Sequence, residues 1–142
     1  MDDTTCRVHK LVADVCLVAE KRVLLVRYKD TRKYDGQAGW FLPDDYLAHV
    51  EHPDDAARRI LLEQVQMNTT PLALSYIESF DGGAWHLIFH YRGQLEQAAE
   101  LRPAENVREA KWFALDALPN PDSVAHHGWA LEVIDKVIGG ES

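Results

Sequence analysis

Residues 39–67 read GWFLPDDYLAHVEHPDDAARRILLEQVQM, and this stretch decides the fold. A short apolar run ends at Leu42-Pro43, where a proline cannot donate to a central ladder and so closes the strand. An acidic turn at Asp44-Asp45 and a brief extended piece over 46–50 follow. A strong helix comes next: Pro53 suits a first helical turn, and Asp54 and Asp55 complement the positive helix N-terminus. Ala56, Ile60, Glu63 and Met67 recur at helical spacing and share roughly one face, which puts the lone carboxylate of Glu63 among apolar neighbours.

Upstream, residues 9–18 (HKLVADVCLV) and 22–28 (RVLLVRY) are rich in aliphatic and β-branched side chains and read as two adjacent strands turning at Glu20-Lys21. Residues 30–39 form a loop with Asp35-Gly36 as its turn signal. Downstream, Pro71 breaks the chain, and strands over 72–80 and 84–91 join through Asp81-Gly82-Gly83, a hairpin signal. Residues 94–104 are polar and read as a connecting loop or short helix, and 109–115 as a further strand. A last helix is expected over 123–138, with Ser123 as its N-cap, an apolar stripe through Ala125, Trp129, Val133 and Val137, and Gly139-Gly140 as its stop. Strands on both sides of a central helix, with a second helix at the end, give an α/β or α+β class.

The chain of 142 residues is sized for a single domain, 1–142, with the polar segment 1–8 expected to be flexible. An apolar fraction of 46% against 27% charged residues is that of an ordinary globular protein. The net charge of −8 gives no broad basic footprint for duplex nucleic acid or an anionic membrane. No membrane-length apolar run or signal-peptide pattern appears, so the cytoplasm is the expected location. Cys6 and Cys16 lack C-x-x-C pairing and read as buried free thiols rather than a disulfide.

The central stretch resembles the box of the Nudix hydrolase family, G-x5-E-x7-R-E-U-x-E-E-x-G-U with U a bulky aliphatic residue. Trp40-Phe41-Leu42-Pro43 matches the family's usual W-x-L-P-G-G, which puts Asp44 and Asp45 on its two glycines. Without a gap, Glu51 then falls on the first box glutamate, Arg59 on the arginine, Leu61 and Met67 on aliphatic positions, and Glu63 on the first of the paired glutamates. Ile60, Gln64 and Gln66 stand where the family has glutamate, glutamate and glycine. The box, spanning 45–67, is therefore degenerate: its helix keeps one carboxylate of three. The ending Lys111-Trp112-Phe113 with 115–119 (LDALP) also looks like the family's. The resemblance covers nearly the whole chain and implies an α/β/α sandwich with a mixed sheet between helices.

It further implies hydrolysis of a nucleoside diphosphate linked to another group, with Mg²⁺ or Mn²⁺ neutralising phosphate oxygens and activating water. Such a cation takes hard oxygen ligands, and isoleucine offers none while glutamine brings no charge. Glu63 is the expected catalytic and metal-binding carboxylate, the alternative being a simple partner for Arg59 one turn earlier. Asp44 and Asp45 replace the lost ligands, repel phosphate, or form a solvated turn. Glu51 and Arg59 are expected to be structural, and Arg27 to hold substrate phosphate or simply to sit charged on the sheet. Activity is then weak, altered or absent, and the alternative is a non-catalytic module binding a nucleotide or a protein.

Other candidates are weaker. Glu78 and Asp81 supply a further carboxylate or base, or line a solvated hairpin mouth. Trp40 and Trp85 stack a base or pack in the core. His86 and His90, four apart on one strand face, would need a third partner to hold zinc, and His126-His127 read as a solvated helix start. A homodimer is the expected assembly for a small domain with many apolar strands.

Overall fold

The computed structural model describes residues 9–32, 36–68, 71–81, 83–104 and 106–139. The expected flexibility of 1–8, Cys6, and the turn residues Asp35 and Gly82 lie outside these described residues.

The first two strands, β1 (His9–Ala19) and β2 (Arg22–Tyr28), meet at Glu20-Lys21, whose φ angles of 51° and 60° are those of a two-residue hairpin turn. They are adjacent only near that turn, pairing Val18 with Val23 and Ala19 with Arg22. Beyond it they part and the chain around residue 41 enters between them. Phe41 bridges Val26, the Val15 N–H donates to the Pro43 carbonyl at 3.0 Å, and β3 (Asp44–Tyr46) runs antiparallel to β1. The acidic turn expected at Asp44-Asp45 is thus corrected to a strand, in which Asp44 is only 8% exposed. Pro43 lacks an N–H, but its carbonyl still accepts, so the chain passes through it extended rather than turning.

After helix α1 (Pro53–Val65), β4 (Leu72–Asp81) and β5 (Trp85–Leu95) form an antiparallel pair, and β5 lies parallel to β1 from His9–Trp85 to Ala19–Leu95. At the other edge β6 (Val107–Ala114) runs antiparallel to β2. Among the described residues the strand order is β4-β5-β1-β2-β6, with β3 paired to β1. Val15, Leu17, Leu24 and Val26 pack with Ala57, Leu61 and Val65 of α1 on one face. Cys16, Val23 and Leu25 pack with Ala130, Val133, Ile134 and Val137 of α2 (Ala125–Gly139) on the other. Coverage on both faces is why β1 and β2 read as near-continuous apolar runs. The fold is a mixed α+β sheet held between two helices.

α1 begins as its sequence dictates. His52 caps it, its Nδ1 accepting the Asp54 N–H at 3.0 Å, and Pro53 stands at the first helical position. It ends at Val65 because Gln66 turns left-handed (φ 59°), which leaves Met67 beyond the helix and packed against the core. The expected apolar stripe is covered at Ala56 and Ile60 but open at Glu63, so that carboxylate does not sit among apolar neighbours.

α2 departs more from expectation. Asn120, not Ser123, caps a short 3₁₀ turn (Pro121–Ser123), its side chain accepting the Asp122 N–H at 2.9 Å. His126, His127 and Gly128 then adopt left-handed φ angles of 53°, 57° and 88° before the right-handed helix proceeds. Trp40 causes the delay: its N–H donates to the Ser123 carbonyl and its carbonyl accepts from Ala125, both at 3.0 Å, holding this segment extended beside the β2–β3 connection. Gly39 permits the approach, since at its φ of 108° a Cβ would stand 2.7 Å from the Ser123 carbonyl oxygen. Among the described residues no helix is long and apolar enough to cross a membrane.

Candidate functional site

Arg59, in the second turn of α1, gathers the chain between β3 and the helix. Its Nε and Nη2 donate to the two Glu51 carboxylate oxygens at 2.9 and 3.0 Å, a planar fork on a planar acceptor. Nη2 also donates to the Tyr46 carbonyl at 2.9 Å, while Nη1 reaches Asp45 and Glu63, each at 3.1 Å. A guanidinium has five N–H donors, and all are engaged here. Glu51 closes the loop by accepting the Ala48 N–H at 2.9 Å. The Arg59 hydrogen bond holds the Glu51 carboxyl below the usual carboxylate range against the opposing effect of burial. Asp45 and Glu51 are largely shielded, with side chains 13% and 15% exposed, whereas Glu63 is 47% exposed.

Further along α1, Gln64 joins a second hub. Its Nε2 donates to the Asp44 carbonyl at 2.8 Å, and its Oε1 accepts from the Tyr28 hydroxyl at 3.0 Å. The same hydroxyl accepts the Asp44 N–H at 3.0 Å and lies 3.1 Å from Asp44 Oδ1, so its single proton is shared between the carboxylate and the amide. Gln64 and Asp44 are both buried, at 6% and 8% exposure. The strand β2, the strand β3 and the helix α1 are therefore pinned together at the positions where the box resemblance puts a glycine and a metal-binding glutamate.

Ile60 is fully buried, packed with Ala13 and Ala56 against Leu47 and Phe89. A hard divalent cation needs several converging oxygens with negative charge. Here position 60 offers hydrocarbon, the Gln64 oxygen accepts from Tyr28, and Asp45 and Glu63 both turn to Arg59. Among the described residues no group of three or more His, Cys, Asp or Glu side chains is placed to hold a metal ion. As arranged, these residues do not fit Mg²⁺ or Mn²⁺.

The structure brings Asp45, Glu51, Arg59 and Glu63 into one cluster and places Arg27 elsewhere. Arg27 pairs with Glu109 at 3.3 Å, its guanidinium 5.6 Å from the centre of the Trp40 ring. Trp40 packs edge-on against Phe113 beside the α2 core, while Trp85 is exposed and donates its indole N–H to Ser79 at 2.8 Å. His86 stacks on Phe80 rather than meeting His90. His126, expected at a solvated helix start, contacts the rings of Phe41 and Trp129 and donates its backbone N–H to the Gln37 side-chain oxygen at 3.0 Å. Glu78 is not simply a hairpin-mouth charge, because it lies 2.7 Å from His90. Asp14 and Tyr28 were not among the candidates read from sequence. The available signal was a charged residue inside the apolar run 11–18, since an aspartate in a two-sided strand must find a buried partner.

A family description, NUDIX domain, matches residues 8–133. Among solved structures, the MutT NUDIX hydrolase from Burkholderia pseudomallei superposes with a TM-score of 0.74 at 21% identity, covering 92% of this chain and 98% of that one. The NUDIX domain of Shewanella oneidensis NrtR, complexed with ADP ribose, gives 0.77 at 17% identity over 100% of this chain and 94% of the other. The E. coli dihydroneopterin triphosphate pyrophosphohydrolase gives 0.72 at 17% identity over 94% and 99%. At these identities the likeness speaks to the fold. No curated protein matches the chain in sequence.

Proposed function

The chain belongs to the NUDIX domain family, and from that membership we propose that it binds a nucleoside-diphosphate-type ligand while its metal-dependent cleavage of a diphosphate linkage is weak or lost. One observation carries the reading: the α1 face that would present carboxylates to a metal presents a core isoleucine and a glutamine committed to Tyr28 and Asp44. Its remaining carboxylate, Glu63, is spent on Arg59. The ligand class is supported by the fold neighbours, one bound to ADP ribose and one named for a pteridine triphosphate. If a divalent cation is used at all, Glu63 is the carboxylate that would hold it, with Asp45 beside it on the same guanidinium. Glu51 and Arg59 act by positioning the β3–α1 connection. The reading keeps the protein in the cytoplasm and covers the apolar side chains exposed on β4, such as Leu74 and Ile77, with a second copy of the chain.

The test is turnover across a panel of nucleoside diphosphate derivatives, with and without Mg²⁺ and Mn²⁺, alongside binding calorimetry of the same panel. Binding is expected with turnover at least ~10³-fold below the roughly 10 s⁻¹ typical of enzymes. Glu63→Gln is expected to remove any metal-dependent residue of activity. Turnover near ordinary enzyme rates would overturn the proposal, and turnover indifferent to Glu63→Gln would remove Glu63 from it.

A further inference from the structure

Asp14, His90 and Glu78 stand side by side across three neighbouring strands, β1, β5 and β4. His90 Nδ1 lies 2.8 Å from Asp14 Oδ1, and Nε2 lies 2.7 Å from Glu78 Oε1. The side chains of His90 and Asp14 are wholly buried, while that of Glu78 is 27% exposed. The Tyr76 ring covers the imidazole at 4.4 Å between centroids, and Trp129 of α2 stands against it at 5.7 Å.

Both contacts are short, and they set a proton count. A neutral imidazole carries one N–H and one lone pair, and an ionised carboxylate only accepts. With both carboxylates ionised and the ring neutral, one of the two contacts would face lone pair against lone pair at under 3 Å. One more proton is required, either on the ring, which then donates both ways, or on a carboxyl that donates to it. The trio then carries a charge of −1 in place of −2. Asp14 and His90 are closed to water, so the contact free to open on losing that proton is the partly exposed one, at Glu78.

We infer that Asp14, His90 and Glu78 form a pH-sensitive latch in which one extra proton, carried on the His90 ring, fastens the edge strand β4 to the centre of the sheet. β4 is an edge strand whose hydrogen-bonded neighbour is β5 and whose side chains are mostly exposed, so a buried polar tie bears unusually on its attachment. The groups around the imidazole favour its charged form. β1 brings Asp14 and the Cys16 thiol, and β3 sets Asp44 in register with Asp14. β4 brings Glu78 and Tyr76, β5 carries Arg92 two residues along the same face, and α2 directs Glu132 and Lys136 at Tyr76. Acids outnumber cations in this set. The second oxygen of Asp14 is buried without a hydrogen-bond partner among the described residues, so the ring is the group that meets its charge.

The sign of the pH dependence follows. Burial raises the Asp14 carboxyl above its ordinary range, opposed by His90. Burial alone would lower the His90 imidazole, but its bonds and charge interactions with Asp14 and Glu78 outweigh that and raise it. Both groups hold protons more tightly folded than unfolded. The His90 contribution is therefore fully present below about pH 6.5 and is lost as pH rises through the raised imidazole value, whereas that of Asp14 is lost from about 3.8 upwards through its own raised value.

The experiment compares the full-length protein with Glu78→Gln, by denaturant unfolding from pH 6 to 9 and by ring-nitrogen NMR of His90. In the parent the folding constant should fall with pH by up to about tenfold per unit, the limit for one proton. Both His90 ring nitrogens should be protonated at pH 7. A glutamine at 78 offers its own N–H to Nε2 and satisfies a neutral ring, so the slope should flatten and His90 should show one protonated nitrogen. A neutral His90 at pH 7 in the parent would overturn the latch, as would a slope unchanged in a folded Glu78→Gln. If the variant does not fold, the His90 signals of the parent decide alone.

Discussion

Replacing Ile60 with glutamate is expected to destabilise the protein by about 4 kcal/mol or more, and not to complete a metal site. Ile60 is fully buried, and its apolar neighbours Ala13, Ala56, Leu47 and Phe89 offer no side-chain donor. A carboxylate there would lose its water without gaining a partner, and it would be forced towards its neutral form. It would also forfeit the transfer free energy of a buried isoleucine, about 2 kcal/mol by itself. Denaturant unfolding of the variant, with and without Mn²⁺, checks this. A variant as stable as the parent, or one rescued by Mn²⁺, would show that position 60 still faces a metal site.

Arg59→Ala is the second large effect, at about 2–3 kcal/mol. It strands Asp45 and Glu51, both mostly shielded, and removes the donor that fixes the Tyr46 carbonyl. Breaking a buried pair by removing one partner costs roughly 3–5 kcal/mol, and the partial exposure of Arg59 and Glu63 brings the expected loss to the lower edge of that range or just below it. Arg59→Lys should rescue little, because an ammonium cannot grip Glu51 with two parallel bonds. The pH profile provides an internal check. Glu51 is depressed by Arg59, so its contribution is present above about pH 4.5 and is lost as pH falls through the depressed value. The stability gap between parent and Arg59→Ala, followed by thermal unfolding, should therefore narrow on acidification. A gap that is constant with pH would assign the loss to packing alone.

Much of the architecture was legible because its signals were local. Pro53 with Asp54 and Asp55 announced α1, and the two-sided apolar runs announced β1 and β2. The errors arose where a distant segment overrode local preference. Asp44-Asp45 has turn-forming chemistry, yet pairing with β1 and the Tyr28 hydroxyl draw Asp44 into a buried strand. Ser123 has capping chemistry, but its carbonyl is taken by Trp40, so the helix starts later. In the site, the box spacing pointed to the Glu51, Arg59 and Glu63 cluster because those residues lie within a few turns of one another. Tyr28 and Asp14 escaped notice because their partners stand 36 and 76 residues away, and neither contact leaves a periodic trace in sequence.

The most direct test of the account is Mn²⁺ binding, followed by electron paramagnetic resonance in the presence and absence of ADP ribose. A site whose carboxylates are committed to Arg59 and whose glutamine is committed to Tyr28 should leave the Mn²⁺ signal, in each condition, the same as in a matched solution without protein. A stoichiometric, protein-dependent change in that signal that disappears in Glu63→Gln would contradict the account and return the box helix to metal chemistry.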